Sequence, residues 1–484
     1  MTTSAARPTA RELIQRIADG ELAARDNLAQ FLARMDKHNP VLNAVIHDGR
    51  DRAKAIAEQI DADLAAGRPV GRLAGLVMTI KDSFDVEGWP TTFGLEHLKD
   101  NVAERTSDVV SRLEAEGALI VGKTNVPPLL RDWQSGNPIH GHTRNPWNTD
   151  LSPGGSSGGA AAAVAAGLCS AEIGSDIGGS IRIPAHYCGI CGHKPSNGVV
   201  SMIGHQLPGT YGSSAMVSAG PLAANVDDMA LLLDVVAGAD SRNAPAWRLE
   251  LPPARITTIG DFRVGILDNA PTAPVDGAYR AVIGALGERL RQAGASVTEG
   301  PFRELDTTHL HDLFIRILRA MAVDGLSDPE FSALIAQVER TPRDDQSYVA
   351  ATNRAMVQRH RDWRRARQEV GRLKHDMRVL FRQIDVLLMP AAVSAAFPID
   401  FDRPREERTL LIDGVERDYN EQLLWAALPV LAELPATLIP IGLQDNGLPV
   451  GVQVVGEYLD DRTCIAFARE VERLVGVFSP PGYD

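Results

Sequence analysis

Glycine is concentrated in one short stretch of the chain, and that stretch restricts the possible folds more than any other feature. Ten of the 43 glycines lie within the 39 residues from 154 to 192. Glycine weakens regular helices and strands, but it permits tight turns and a close approach of the backbone to other groups. We therefore expect a site here in which the chain turns sharply and a ligand needs room.

Composition and charge exclude several classes of partner. The 484 residues are 44% hydrophobic and 23% charged, which is typical of a globular chain. The net charge of −13 repels nucleic-acid phosphates and anionic membrane surfaces. Residues 160–171 form an apolar stretch of only 12 residues, whereas about 20 are needed to span a bilayer. We expect neither nucleic acid nor a membrane as a partner.

The N-terminus and the cysteines indicate the cellular compartment, and the cysteines and histidines indicate whether a metal is bound. The N-terminal residues lack the apolar segment of a signal peptide. Four cysteines are too few for a disulfide framework in so long a chain. Cys188 and Cys191 have the spacing of a redox or zinc motif, but no second pair completes a zinc site, and the histidine pairs at 140/142 and 309/311 lack a third ligand. These features predict a cytoplasmic protein without a metal or other cofactor.

Apolar periodicity predicts an α/β protein. Helical spacing fills residues 10–66, and from residue 73 onward short apolar runs, such as 76–80, 118–121 and 262–267, indicate buried strands. Asn225 followed by two aspartates is typical of a capped helix start, so these aspartates are not expected to form a catalytic pair. The basic segment from about 353 to 384 predicts one solvated helix that packs its apolar side inward.

Two motif matches fail in context. Residues 117–124 match the P-loop pattern, but the central residues predict a strand, and the Val-Pro-Pro sequence that follows prevents a helix from starting there. Ser157 lies in a GxSxG pattern, but no good strand precedes it, and His186 and His193 lie too close to be distinctive triad partners. Nucleotide binding and an α/β-hydrolase triad are disfavoured.

The glycine-rich stretch resembles the amidase signature family. The residues that carry the resemblance are SPGGSSGG at 152–159, GSDIGGSIRIP at 174–184 and CGICGHKP at 188–195, together with IKD at 80–82, GKTN at 122–125, NPW at 145–147, GPLA at 220–223 and GLPVGVQ at 447–453. The match is dense from about 73 to 238 and thin between about 240 and 425. A pattern of this length is far more specific than the two short motif matches.

The resemblance implies a fold and its division. We expect one large α/β domain, residues 1–484, with a central mixed β-sheet covered by helices on both faces. Within it, residues 1–70 would form an N-terminal helical layer and 71–240 the catalytic core. Residues 300–425 would form a variable, pocket-forming region, and 426–484 the C-terminal core strands and helix. A homodimer is left open.

The resemblance also implies a catalytic triad of a lysine, a serine that follows a cis peptide bond, and a nucleophilic serine. These roles correspond to Lys81, Ser156 and Ser180. The residues agree with this assignment because a serine hydroxyl needs a neighbouring base to become nucleophilic. Lys81 closes an apolar strand, where burial would favour its neutral form. The expected reaction is hydrolysis of an amide C–N bond through an acyl-enzyme.

Further residues are expected around this triad. The backbone of 177–180 would present N–H groups to an oxyanion, and the expected donors are Ile177, Gly178, Gly179 and Ser180. Supporting roles are expected for Ser157, Asp176 and Arg182. The expected substrate-binding residues are Leu130, Trp133, Gly155 and Met202.

The substrate class stays open at this stage. The apolar and aromatic candidates favour a small aryl or alkyl amide or a carbamate. An alternative within the family is the glutaminase component of a tRNA-dependent amidotransferase, which delivers ammonia to a partner. A non-catalytic binding protein on the same fold is the alternative from another class, and the intact set of Lys81, Ser156 and Ser180 argues against it.

Overall fold

Most of the predicted apolar runs form strands of one large sheet in the computed structural model, which describes residues 7–211 and 216–483. The strands of the described part of the chain are β1 (Val45–Asp48), β2 (Val77–Lys81), β3 (Leu119–Thr124), β4 (Gly136–Asn137), β5 (Gly141–His142), β6 (Ala171–Asp176), β7 (Cys191–Lys194), β8 (Ser218–Ala223), β9 (Arg263–Ile266), β10 (Ser296–Glu299), β11 (Val386–Pro390), β12 (Thr409–Ile412), β13 (Val415–Asp418), β14 (Ala436–Leu443) and β15 (Pro449–Val455). Eleven of them pair in the order β1-β3-β2-β6-β8-β7-β14-β15-β11-β9-β10.

Helices connect and cover these strands. The described α-helices are α1 (Ala10–Ala18), α2 (Ala24–Leu42), α3 (Arg50–Ala65), α4 (Asp108–Ala115), α5 (Gly158–Ala165), α6 (Arg182–Cys188), α7 (Val226–Val236), α8 (Gly277–Gln292), α9 (Thr307–Ala320), α10 (Asp328–Arg340), α11 (Tyr348–Met356), α12 (His360–Leu380), α13 (Leu423–Leu431) and α14 (Asp461–Val475). None of the helices within the described ranges has both the length and the apolar character needed to cross a membrane.

The sheet is mixed and buried on both faces, as predicted. Strand β2 runs parallel to both of its neighbours, β3 and β6, whereas β6 runs antiparallel to β8. Along β3, Leu119 and Val121 pack into one apolar cluster while Ile120 packs into another. Because alternate side chains of a strand point to opposite faces, these two clusters are the cores on the two sides of the sheet.

The N-terminal prediction was incomplete. Residues 10–66 form three helices, but β1 lies between α2 and α3 and extends the large sheet as its edge strand, antiparallel to β3. This strand is only four residues long and pairs on one side, so its own apolar pattern is weak.

The basic segment was predicted as one helix, and this was wrong at its start. Residues 353–356 belong to α11, and a new helix, α12, begins at His360. Within α12 the apolar side does pack inward, through Ala366, Val370 and Met377.

The aspartates that follow Asn225 serve helix termini and not catalysis. The Asn225 side chain accepts a hydrogen bond from the backbone of Asp228, which caps α7. The Asp228 carboxylate in turn accepts hydrogen bonds from the backbone N–H groups of Ala10 and Arg11. It therefore joins the first helix to the core by satisfying two N–H groups that have no partner within α1.

Candidate active site

The lysine and the glycine-rich loop meet because of strand topology. Lys81 is the last residue of β2, and Asp176 is the last residue of the adjacent parallel strand β6. Adjacent parallel strands end at the same edge of a sheet, and in α/β sheets this edge is where ligands bind. The loop from β6 to α6, which carries Ser180, and the turn before α5, which carries Ser156, meet at the same edge.

Lys81 is fully buried within a cluster of serine oxygens. Its Nζ lies 2.7 Å from Ser156 Oγ, 2.8 Å from Ser157 Oγ and 3.0 Å from Ser175 Oγ, and 3.2 Å from the Ser175 carbonyl oxygen. The peptide bond between Gly155 and Ser156 is cis. Close packing explains one of the glycines here, since a Cβ at Gly174 would lie 2.8 Å from Ser157 Oγ.

Burial also makes Lys81 a base at neutral pH. Desolvation lowers the pKa of Lys81 to about 7, although Asp176 and Glu172 favour the charged form. A neutral amine has two N–H donors and one lone pair. It can therefore donate to the Ser175 carbonyl and to one hydroxyl, and accept a proton from another hydroxyl. Ser156 and Ser157 are the nearest hydroxyls.

Ser180 is open to a cavity beside this cluster. The cavity has a volume of about 310 Å³, and its wall includes Ser156, Ser175 and Ser180. The Ser180 hydroxyl is not hydrogen-bonded to Ser156 in this structure, and catalytic hydrogen bonds in unliganded sites commonly shorten only when substrate is present. Ser156, which contacts Lys81, and Ser180 thus line the same cavity.

A buried ion pair fixes the loop that carries Ser180. Arg182 Nη2 lies 2.7 Å from Asp176 Oδ1, and both side chains are buried. Although burial opposes ionisation, Arg182 and the backbone N–H of Ile181 lower the pKa of Asp176 to about 2. Arg182 Nη1 also donates to Gln453 Oε1 on β15, over 2.7 Å. The contacts of Asp176 and Arg182 thus fix the loop, while Asp176 also lies in the cavity wall.

One expected oxyanion donor is already hydrogen-bonded within the loop. The Gly179 N–H donates to Asp176 Oδ1 over 3.0 Å, so it already has a partner within the loop. Gly179 has φ of +88°, which a residue with a side chain would adopt only with strain. In the described part of the chain, the N–H groups of Ile177, Gly178 and Ser180 have no such acceptor. They remain the candidate donors.

The structure divides the predicted substrate-binding residues. Leu130 and Trp133 line the cavity, whereas Gly155 and Met202 are not part of its described wall. Gly155 instead packs against backbone, because a Cβ there would lie 2.4 Å from the Asp132 carbonyl oxygen. Trp133 has a second role, since its indole N–H donates to the Gly178 carbonyl oxygen over 2.9 Å.

Four further wall residues have basic side chains, and the sequence did not mark them as binding residues. They are Arg131, His205, Arg319 and Arg405. Arg131 lies between the predicted binding residues Leu130 and Trp133, and His205 lies three residues after Met202. Arg319 and Arg405 lie within residues 300–425, which were expected to form the pocket but contain no motif that marks them. Burial, and then the charge of Lys81, lower the pKa of His205 to about 3, so this imidazole is neutral.

The remaining sequence candidates have structural surroundings. Cys188 and Cys191 are buried free thiols. His186 Nδ1 accepts from the Gly451 N–H, and His193 Nε2 lies 3.1 Å from Asp461 Oδ1. Within the described ranges, no group of three or more histidine, cysteine, aspartate or glutamate side chains is placed to hold a metal ion.

Comparisons with known proteins show the family and the fold. The family profile described as Amidase matches residues 26–465. The chain is 33% identical to the A-type subunit of the glutamyl-tRNA(Gln) amidotransferase of Synechococcus sp. (strain CC9605), over 96% of each chain. A bacterial aryl acylamidase structure superposes with a TM-score of 0.81 at 26% identity and covers 96% of each chain. A further amidase structure, at 28% identity, gives 0.78 and covers 97% of this chain and all of that one. The chain therefore belongs to the amidase signature family.

Proposed function

We propose that Ser180 is the nucleophile of an amide hydrolase and that Lys81 activates it through Ser156. Family membership makes the chain an amidohydrolase that acts on C–N bonds. The observation that carries the assignment of roles is the buried Lys81 amine, 2.7 Å from Ser156 Oγ at the wall of the cavity that also exposes Ser180.

The first half of the reaction forms the acyl-enzyme. Neutral Lys81 takes a proton from Ser156 as Ser156 takes one from Ser180, and Ser180 Oγ attacks the amide carbonyl carbon. The negative charge that develops on the carbonyl oxygen is stabilised by free N–H groups of the 177–180 loop. One such donor contributes about 3–4 kcal/mol to transition-state stabilisation. The C–N bond then breaks, Ser156 gives its proton to the leaving nitrogen, and Lys81 returns a proton to Ser156 and is neutral again.

Hydrolysis of the acyl-enzyme uses the same groups in reverse. Water gives a proton through Ser156 to Lys81, and its oxygen attacks the acyl carbon. The C–O bond to Ser180 breaks, and Ser180 recovers its proton. No cofactor is required at any step, because the lysine supplies the base and the serines carry the proton.

Labelling with a fluorophosphonate tests the nucleophile. We expect the wild-type chain to be labelled at Ser180 and the Ser180→Ala variant to be unlabelled. Ser157→Ala provides a matched control, because Ser157 also contacts Lys81 but is not the proposed nucleophile. Labelling that disappears only in Ser157→Ala would overturn the assignment. A panel of amides, anilides, carbamates and esters, with Ser180→Ala as the blank, then defines the substrate class.

A second candidate is hydrolysis of glutamine for an amidotransferase. It is supported by the 31–33% identity, over nearly the whole chain, to cyanobacterial proteins named as the A-type subunit of a glutamyl-tRNA(Gln) amidotransferase. Ammonia release confined to glutamine, and increased by partner proteins that co-purify with the chain, would favour this candidate. Turnover of other amides by the isolated chain would favour the first.

A further inference from the structure

Three arginines converge on the cavity beside Ser180. Arg131 follows β3 in the chain, Arg319 lies in the last turn of α9, and Arg405 lies between β11 and β12. Arg319 and Arg405 are partly buried, whereas Arg131 is exposed. Like charges repel each other, and water screens them less where they are partly buried. Such an arrangement is favourable when an anion occupies the cavity.

Arg319 has the hydrogen-bonding capacity that an anion would use. Its Nε is buried and has no hydrogen-bond partner within the described ranges. The guanidinium lies 5.2 Å from the ring centre of Tyr348, whose hydroxyl also has no partner there. Burial, followed by the charges of Arg405 and Arg131, lowers the pKa of Arg319 to about 9. The charged form is therefore destabilised until an opposite charge is supplied.

Arg405 is held rigidly in the same wall. Its Nε donates to Asn420 Oδ1 over 2.8 Å, and Nη1 donates to the Arg131 carbonyl oxygen. The guanidinium lies 4.5 Å from the ring centre of Trp133, the residue that holds the Gly178 carbonyl. Trp133 thus connects Arg405, and any anion that Arg405 binds, to the loop that carries Ser180.

The acidic residues of the wall are paired with other groups. Asp132 Oδ2 accepts from Arg408 over 2.6 Å, and its Oδ1 accepts from the Tyr419 hydroxyl over 2.8 Å. Asp176 is paired with Arg182. Glu406 is near enough to Arg319 to favour its charged form, but it is exposed and is not a wall residue. The described wall therefore has an excess of positive charge in a chain whose net charge is −13.

We propose that the amide cleaved at Ser180 belongs to a substrate of net negative charge, whose carboxylate is bound by Arg319 and Arg405. A guanidinium fork matches the two oxygens of a carboxylate. The rest of the wall is largely apolar, with Leu129, Leu130, Leu318 and Leu423, so an aliphatic or aryl segment separates the carboxylate from the amide. This inference rests on the proposed hydrolysis at Ser180.

The same wall disfavours an ammonium group on the substrate. A zwitterion such as glutamine would bring its cation among the arginines, while the acids of the described wall are already paired. We therefore expect a dicarboxylic acid monoamide to be a better substrate than glutamine.

Matched substrates test the charge preference. Each monoamide of a linear dicarboxylic acid, from succinamate to suberamate, is compared with the neutral primary amide of the same chain length, and glutaramate is also compared with glutamine. N-acetyl derivatives of ω-amino acids are also tested, because their carboxylate is part of the amine that leaves and not of the acyl group. We expect at least one acidic member to exceed its neutral partner by 10-fold or more in kcat/KM. A neutral amide that is always equal or better, or glutamine that equals glutaramate, would overturn the proposal.

Substitutions in α9 test whether Arg319 binds the carboxylate. We expect Arg319→Met to lower kcat/KM for the preferred acidic amide by about 10- to 100-fold while changing the neutral amide less than about threefold, and Arg319→Lys to recover part of the loss. Arg316→Met is the matched control, because Arg316 lies on the same helix and pairs with Asp312 and Glu369 away from the cavity. Equal losses for acidic and neutral amides in Arg319→Met would show a structural role and contradict the proposal.

Measurements of ligand binding test the carboxylate site independently of the proposed hydrolysis. Glutarate and suberate, titrated calorimetrically into Ser180→Ala, report the carboxylate site without turnover. Binding that weakens in the Ser180→Ala, Arg319→Met double variant supports the site even if the catalytic assignment fails. Hydrolysis at Ser180 with no charge preference and no diacid binding would leave the catalytic assignment intact and reject the carboxylate site.

Discussion

The two sides of the cavity wall differ in how their polar atoms are satisfied. On the catalytic side, Lys81 has four oxygen neighbours, and the Asp176 carboxylate is paired with Arg182. On the side formed by α9 and α11, which pack against each other, several buried polar atoms lack partners within the described ranges. These are His311 Nε2, Arg319 Nε, Tyr348 Oη and Thr352 Oγ1, of which Arg319 belongs to the cavity wall. Near Lys81, the wall atom His205 Nε2 also lacks a partner within the described ranges.

This difference separates chemistry from specificity. The hydrogen bonds that Lys81 and Asp176 make without substrate stabilise the fold and keep these groups in place. Polar atoms that lack partners cost stability until a ligand or water satisfies them, and such sites are commonly functional. Changes on the catalytic side should therefore reduce rate or stability for every substrate, whereas changes on the α9 side should alter the choice of substrate.

The largest effect is expected from Ser180→Ala. Removal of the proposed nucleophile should reduce kcat by about 10⁴-fold or more for every hydrolysed amide, while the thermal transition stays within a few degrees of wild type. Initial rates and thermal unfolding measure the two effects. Retention of more than a tenth of the activity would show that another residue attacks the carbonyl.

Lys81→Met should come next, with a loss of about 10³-fold in kcat/KM. In the wild type, kcat/KM should rise with pH through about 7, because only neutral Lys81 accepts the serine proton. That rise should be absent from the residual activity of the variant, as a pH profile from 5.5 to 9.5 would show.

Another buried lysine provides the control for this prediction. Lys123, on the adjacent strand β3, is also buried, and burial lowers its pKa to about 8, but it contacts Thr91 and Asp82 and not the serines. Lys123→Met should lower stability yet retain the rise in rate near pH 7. If the rise disappears in Lys123→Met and persists in Lys81→Met, the base is misassigned.

The residues expected on the catalytic side lie in the short, dense motifs that carry the family resemblance, and their roles stay a prediction. Lys81 ends an apolar run, and Ser156, Asp176 and Ser180 fall in the glycine-rich stretch. The occupied N–H of Gly179 could not be inferred, because it depends on where the Asp176 carboxylate turns after the strand ends.

The α9 side was not predictable in the same way. Arg319 and Arg405 are 86 residues apart in the chain, and neither lies in a motif. A helical pattern predicts that an arginine is solvated, and only tertiary packing places Arg319 at the cavity. Strand β1 was missed for a related reason, since its pairing with β3 and not its own four residues defines it.

Arg182→Met tests how much the buried ion pair with Asp176 contributes to stability. The substitution leaves the Asp176 charge buried without its partner, so we expect a loss of about 3–5 kcal/mol in the free energy of unfolding. Arg462→Met, which removes an ion pair with Asp234 whose side chains are nearly half exposed, should cost less than about 1 kcal/mol. Urea denaturation measures both. Similar small losses in the two variants would mean that the buried pair contributes little to stability.

Arg319→Met tests the opposite side through stability. Because the wild-type guanidinium lacks a partner for Nε and lies near two other arginines, its replacement by an apolar side chain should raise the free energy of unfolding by up to about 1 kcal/mol in the absence of ligand. Urea denaturation of the unliganded protein measures the change. A loss of 2 kcal/mol or more would show that Arg319 supports the fold, and would remove the contrast between the two sides.

The smallest expected effect concerns Glu172, a buried carboxyl group that the proposed relay does not use. It accepts a hydrogen bond from Thr79 Oγ1 over 2.5 Å and another from Thr124, and burial raises its pKa to about 8. Its ionised form favours protonated Lys81, but near pH 7 most of the carboxyl group is neutral. Glu172→Gln removes the remaining charge, so the rise in kcat/KM should move to lower pH by a fraction of a unit, as measured by a pH profile against wild type. A rise that stays in place or moves to higher pH would show that Lys81 does not respond to the Glu172 charge, and that the surrounding serines and Asp176 alone set its basicity.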